Sequence, residues 1–195
     1  MALTNRTRRF ETAALPHLRA AYNLARWLLR DERLAEDAVQ EAYLRAFRFF
    51  DDLRGGDARP WLLGIVRNAC FDALRQTRRH ANELPFDESL DGDADALGMD
   101  GLPTCEVGDP AAAWERRALR RRVNEAVAAL PPPFREVIVL RELEEMSYED
   151  IARVAGIPAG TVMSRLSRAR ALLREALRDE VPSAAQAGAH RDASS

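Results

Sequence analysis

The chain has 195 residues, of which 47% are apolar and 7% aromatic, enough for one ordinary domain or two small ones. Its apolar runs are far shorter than a membrane helix, no apolar signal region follows the arginine-rich start, and its two cysteines argue against a disulfide framework, so we expect a cytoplasmic protein. The net charge of -2 gives no overall basic excess for nucleic acid, but the charge is unevenly distributed.

Apolar residues at helical spacing dominate the first part of the chain. Small and aliphatic side chains recur every three or four positions over residues 18–29 and 35–46, which predicts two amphipathic helices. A turn rich in aspartate and glycine over 51–57 precedes a third helix, where Pro60 fits only the first turn. These elements predict a helical domain over residues 8–80.

An acidic segment follows this domain. Between residues 83 and 109 every charged side chain is acidic, and several glycines interrupt a stretch without sustained periodicity. This composition predicts a flexible acidic linker over residues 81–110. The arginines are therefore concentrated in the segments on either side of it.

Helical periodicity resumes near Pro110, and the three prolines at 131–133 separate one helix from the next. We predict a second helical domain over residues 111–179. The small and polar composition after it predicts a disordered tail over 180–195. The predicted fold class is thus all-α, with two small helical domains joined by the acidic flexible linker.

The strongest local pattern is a helix-turn-helix in the second domain. Ser147, with Asp150 three residues later, is a plausible N-cap of a short helix that Gly156 ends, and Pro158 lies in the turn. The next helix has one apolar stripe, formed by Val162, Leu166, Ala169 and Leu173.

A different face of that helix carries side chains suited to DNA. Its N-terminal half is free to enter a major groove, where an arginine can bond a guanine edge. The other interpretation is an ordinary helical hairpin whose arginines are only solvated. The predicted DNA-binding residues are Thr161, Ser164, Arg165 and Arg168.

The first domain contains two further motifs. In DAVQEAYLRAF, several polar residues and one leucine share a helix face, which by itself is more often solvated than functional. In ARPWLLGIVRNACFDALRQTRR, Trp61 and Asn68 lie two turns apart among arginines. An aromatic ring can stack on an exposed base and an asparagine can bond its edge, although Trp61 also fits a place in the core.

In this order the motifs resemble sigma-70 family RNA polymerase sigma factors of the extracytoplasmic-function type, over nearly the whole chain except the tail. The resemblance implies a factor that binds core polymerase and directs promoter-specific initiation, in a stress or envelope-signal regulon under an anti-sigma factor. It implies no catalytic residue, cofactor, metal ion or membrane insertion.

The resemblance also implies roles for individual positions. The first motif resembles the helix that docks on the clamp of the largest polymerase subunit, through Asp37, Gln40, Glu41 and Leu44. The second resembles the segment that melts and reads the minus-10 element, through Trp61, Arg67, Asn68 and Arg75, helped by a loop over 53–59 that shapes a pocket for a flipped base. The helix-turn-helix resembles the part that docks on the flap of the second-largest subunit and reads the minus-35 element.

One residue departs from the family pattern. Many relatives have a basic residue where this chain has Met163, so contact there would be apolar, for example against a thymine methyl group.

Three alternative functions remain open at this point. The chain could be a regulator with the same helix-turn-helix but no polymerase docking, or a sigma mimic that titrates an anti-sigma factor. Enzymatic function has little support, since the histidines are scattered and only Cys70 with His80 suggests a reactive or metal-binding pair.

Overall fold

The computed structural model describes residues 2–53, 56–83 and 110–178, and places side chains at 5–53, 56–79 and 113–178. Within these residues the structure contains eight α-helices and no strand, which confirms the all-α prediction. Most of the predicted linker over 81–110 and the predicted tail over 180–195 lie outside the described residues.

The first helical set contains four helices. They are α1 (Ala2–Ala14), α2 (Leu18–Leu29), α3 (Glu32–Arg48) and α4 (Ala58–Glu83). Arg30 adopts a left-handed conformation at the end of α2, and the Asp31 side chain accepts a hydrogen bond from the backbone N–H of Leu34 to start α3. These two caps turn the chain sharply between neighbouring helices.

The second helical set also contains four helices. They are α5 (Pro110–Ala129), α6 (Pro132–Ile138), α7 (Tyr148–Ala155) and α8 (Ala159–Ala176). A π-helical turn, Val139–Leu143, continues α6. Pro132 and Pro133 occupy the first turn of α6, where a missing N–H costs no helical hydrogen bond.

The two sets share one hydrophobic core. It contains Leu24, Leu28 and Val66 from the first set with Val137 and Leu166 from the second, all almost completely buried. Helix α4 packs against α7, and α2 packs against α6. The two regions therefore meet directly in this arrangement, a contact that no sequence pattern indicated.

Helix α1 forms a second, smaller cluster. Phe10 packs edge-on against Phe47 and Phe50, with ring centroids 5.2 and 5.4 Å away. Arg6 lies over the Phe47 ring and forms an ion pair of 2.8 Å with Asp51. These contacts hold the turn that leads into α4.

Candidate nucleic-acid interface

Helices α7 and α8 form the predicted helix-turn-helix. The Ser147 hydroxyl accepts a hydrogen bond from the Asp150 N–H at the start of α7, and Gly156 ends α7 with a φ of 65°, in the left-handed region that favours glycine. Val162, Leu166 and Ala169 are buried. Leu173, the fourth residue of the predicted stripe, is half-buried at the edge of the core, and the helix-turn-helix otherwise agrees with the sequence prediction.

The predicted minus-35 residues of α8 differ in their surroundings. Ser164 and Arg168 are exposed, whereas Thr161 and Arg165 are half-buried. The Ser164 hydroxyl donates to the Thr161 carbonyl at 3.0 Å. Arg168 makes no hydrogen bond or ion pair with another described residue, so its guanidinium is available to a ligand.

Met163 adds an apolar component to this face. Its side chain is 51% exposed, next to Ser164 along α8. A thioether in this position can contact a thymine methyl group but cannot bond a phosphate. The exposed surface of α8 is thus partly apolar and partly basic.

The predicted minus-10 residues Trp61, Arg67 and Asn68 lie together on α4. Trp61 is half-buried beside Phe50, with ring centroids 6.5 Å apart, and Asn68 is exposed. Arg67 lies over the Phe71 ring and donates to the Asn68 amide oxygen at 3.2 Å. Trp61 therefore lies partly in the core and partly at the surface, and its role in base stacking stays a prediction.

Arg75, the fourth predicted minus-10 residue, belongs to an ion-pair network. Arg75 forms an ion pair with Asp72, and Asp72 also forms one with Arg45 at 3.5 Å. Arg45 in turn forms an ion pair with Glu41 at 2.8 Å. The hydrogen bond from Arg75 is the main cause that lowers the pKa of Asp72. The network connects a predicted polymerase-binding residue on α3 to a predicted DNA-binding residue on α4.

The four predicted polymerase-binding residues form an exposed row along α3. The side chain of Leu44 is 52% exposed. Beside the row, Leu15, Leu18, Tyr22 and Val39 line a mostly apolar groove of about 800 Å³. Asp37, Gln40, Glu41 and Leu44 are all accessible to a partner.

Sequence reasoning missed three buried charged residues between the helical sets. Arg135 of α6 donates to backbone carbonyls of α2 and α5, and burial lowers its pKa to about 10. Glu136 and Glu144 are buried carboxylates that form ion pairs with Arg67 and Arg59 of α4, respectively. Their partners are distant in sequence, so local periodicity carries no signal of these contacts.

The Cys70 thiol is unsuited to nucleophilic chemistry. It is fully buried, and burial raises its pKa to about 12. A reactive or metal-binding cysteine needs a lowered pKa. The side chain of His80, its suggested partner, lies outside the described residues.

No group of acidic, histidine or cysteine side chains within the described ranges could hold a metal ion. Nor does any helix in this part of the chain have the length and apolarity to span a bilayer.

An all-α chain with a helix-turn-helix and a second arginine-bearing helix defines a class of helical DNA-binding proteins. Family models narrow this class: sigma-70 region 2 matches residues 14–80, and sigma-70 region 4 matches residues 120–173. The chain belongs to the sigma-70 family of RNA polymerase sigma factors, in its extracytoplasmic-function form. Members of this family are promoter-directing transcription initiation factors.

Individual relatives agree with this assignment. The chain is 32% identical to the RNA polymerase sigma-H factor of Pseudomonas aeruginosa over 172 residues, which cover 87% of this chain and 86% of that protein. It is 33% identical to the sigma factor SigE of Mycolicibacterium smegmatis over 83% of this chain, but spans only 58% of that longer relative.

A solved structure shows the same fold. The sigma factor RpoE of Bartonella quintana, crystallised with the anti-sigma factor NepR, matches with a TM-score of 0.66 and 27% identity. The match covers 88% of this chain and 98% of that one.

Proposed function

We propose that this chain binds core RNA polymerase and positions it at promoters by reading the minus-10 element through α4 and the minus-35 element through α8. The observation that carries the proposal is the exposed Arg168, which pairs with no other described residue and lies on the outer face of the second helix of the helix-turn-helix. A guanidinium in this position can form two hydrogen bonds with a guanine edge in the major groove.

For the minus-35 contact, Ser164 and Arg168 stand one helical turn apart on the same face, because four residues rotate an α-helix by about 400°. Val162 and Ala169 anchor the opposite side in the core. We infer that Thr161 and Arg165, both half-buried, support this surface from its edge.

For the minus-10 contact, Trp61 and Asn68 provide a stacking surface and a base-edge hydrogen-bonding group on α4. Arg67 and Arg75 would supply phosphate contacts. Both arginines have carboxylate partners here, so DNA would have to replace these partners.

For polymerase docking, the exposed row on α3 offers carboxylates, an amide and an accessible leucine to the clamp of the largest subunit. An accessible leucine with polar neighbours is typical of the centre and rim of a protein interface. The second helical set would dock on the flap of the second-largest subunit. This assignment gives Asp37, Gln40, Glu41 and Leu44 a shared function.

Regulation by an anti-sigma factor follows from the same proposal, since the related Bartonella protein was solved in such a complex. We infer that the protein is cytoplasmic. We also infer that it has no catalytic activity, and the buried Cys70 thiol, whose pKa is raised, is not available as a nucleophile. We also propose the domain division stated above, with region 2 over 8–80 and region 4 over 111–179.

The test is transcription by core polymerase with the Arg168→Ala variant on promoters with single substitutions in the minus-35 element. Loss of a bidentate base contact should cost about 1–3 kcal/mol of discrimination at one or two positions, while polymerase binding stays intact. Arg174→Ala is the matched control, because Arg174 is an exposed arginine in the last turn of the same helix. If Arg168→Ala keeps the wild-type ranking of promoters, the direct-readout assignment is wrong.

A further inference from the structure

The first half of α5 carries an exposed tryptophan. The side chain of Trp114 is 67% exposed, whereas Trp27 is buried and Trp61 is half-buried. No described aromatic ring or guanidinium group stacks on the Trp114 indole. The flat apolar face of this ring is therefore open to a partner molecule.

The second half of α5 fixes the position of the first. Val127 and Ala128 are buried in the shared core, and α5 packs against α8. In contrast, every side chain from Trp114 to Arg117 is exposed. The core thus anchors one end of the helix, while the other end presents its side chains to solvent.

The exposed half of α5 is also strongly basic. The charged residues of the helix are arginines at 116, 117, 120, 121 and 122 and glutamates at 115 and 125. Arg117 and Arg121 are exposed and form no hydrogen bond or ion pair with another described residue. Both guanidinium groups are available to phosphate oxygens, which arginine can bind through two parallel hydrogen bonds.

Trp114, Arg117 and Arg121 form one row along the helix, which we call the α5 stripe. With steps of three and four residues, the two arginines lie within about 60° of Trp114 around the helix axis and within about 10 Å along it. Arg120 lies about 120° away from Trp114, on another side of the helix. Glu125, one turn beyond Arg121, ends the basic part of the row.

An aromatic ring beside two arginines suits a strand with unpaired bases. Each nucleotide presents both a phosphate and a flat aromatic face, and proteins that bind single strands combine basic side chains with stacking rings. In a duplex the faces of the bases are already stacked on one another. An acidic peptide would satisfy the arginines through its charge but would offer few aromatic faces to the indole.

We propose that the α5 stripe binds single-stranded nucleic acid, with one base stacked on the Trp114 indole and the adjoining phosphates held by Arg117 and Arg121. This site lies outside α4 and α8, the two helices proposed to read the promoter, and does not depend on their function. Stacking and phosphate contacts do not distinguish the bases, so the site tolerates different sequences.

The test uses the full chain and fluorescein-labelled oligonucleotides of about 12 nucleotides, as single-stranded RNA and as single-stranded DNA of mixed sequence, with binding measured by anisotropy. Trp114→Ala should weaken binding about tenfold, because one stacked base is lost. Leu119→Ala is the matched control, since Leu119 is 56% exposed on another side of α5 and should leave the affinity unchanged. Far-UV circular dichroism checks that each variant retains its helices.

The dependence of binding on salt tests the arginines. Arg121→Ala should lower the slope of log affinity against log salt concentration by about 0.7, the value for one phosphate contact on a single strand. Arg120→Ala removes the same charge from the same helix outside the α5 stripe and should keep the wild-type slope. An equal decrease in both variants would mean that the helix attracts the strand only by its general charge, which overturns the stripe.

Two further arms separate this site from the proposed minus-10 surface and identify the strand. The effect of Trp114→Ala should persist in an Asn68→Ala/Arg75→Ala background, and thiouridine in the RNA should crosslink to a peptide that contains Trp114. The higher of the RNA and DNA affinities indicates which strand the site takes. Wild-type affinity of Trp114→Ala for both strands, or an equal loss with duplex DNA, overturns the proposal whatever the role of α4.

Discussion

Replacement of Arg135 by methionine tests the packing between the helical sets. The Arg135 guanidinium donates from Nη1 to the carbonyls of Trp27 and Leu28 at 2.9 and 3.3 Å. From Nη2 it donates to the carbonyls of Ala128 and Leu130, the latter at 2.8 Å. One side chain thus satisfies carbonyls at the C-terminal ends of α2 and α5, in both helical sets.

The magnitude follows from these four acceptors. A buried polar group left without a partner costs about 1–3 kcal/mol, but methionine also removes the cost of burying a charge, which is evident in the lowered pKa of Arg135. Four carbonyls lose their donor and no unpaired charge is left behind, so we expect Arg135→Met to lower the free energy of unfolding by about 2–3 kcal/mol.

Urea unfolding followed by far-UV circular dichroism measures this loss. Arg170→Met is the matched control, because Arg170 is 47% exposed, forms one ion pair with Glu142 and should cost about 1 kcal/mol or less. If Arg135→Met is no more destabilising than Arg170→Met, the buried guanidinium does not hold the two sets together and the reasoning fails.

Three further predictions follow from single side chains. Leu44→Glu should weaken binding to core polymerase at least about tenfold in a fluorescence titration, and unchanged affinity would remove Leu44 from the interface. Gly64→Ala should raise the free energy of unfolding by about 0.5–1 kcal/mol, because the added methyl makes only ordinary contact with Val154; a decrease in urea stability would contradict this geometry. In a Cys105→Ser background, Cys70 should react with a disulfide reagent at pH 8 about a hundredfold more slowly in the native than in the unfolded chain, since burial raises its pKa to about 12; rapid native reaction would refute its burial.

The helix-turn-helix could be predicted because its determinants are local. The Ser147 cap, the glycine at 156 and the apolar stripe through Val162 and Leu166 each act within a few residues. Each has the structure that its pattern indicates. Exposure of Arg168 follows from the same helical geometry.

Helix α1 was not predicted, for a physical reason. Its sequence is polar apart from a few positions, and its main apolar anchor, Phe10, packs against aromatic residues of α3 and the following turn. Helix formation that depends on tertiary contacts leaves a weak periodic signal.

The contact between the helical sets also escaped prediction. Glu136 lies 69 positions from Arg67, and Glu144 lies 85 positions from Arg59. In the sequence these residues are ordinary surface charges, and only the three-dimensional packing buries the two carboxylates. The individual DNA-binding candidates could be chosen from the sequence, but their carboxylate partners in the second helical set could not.

The most direct test of the central claim is run-off transcription by core polymerase on a genomic promoter library, with and without this protein. If the chain is a promoter-directing sigma factor, transcripts from a defined subset of promoters with shared minus-35 and minus-10 elements should appear only when it is added. An identical transcript profile in both reactions, under conditions in which the chain binds core polymerase, would contradict the proposed function.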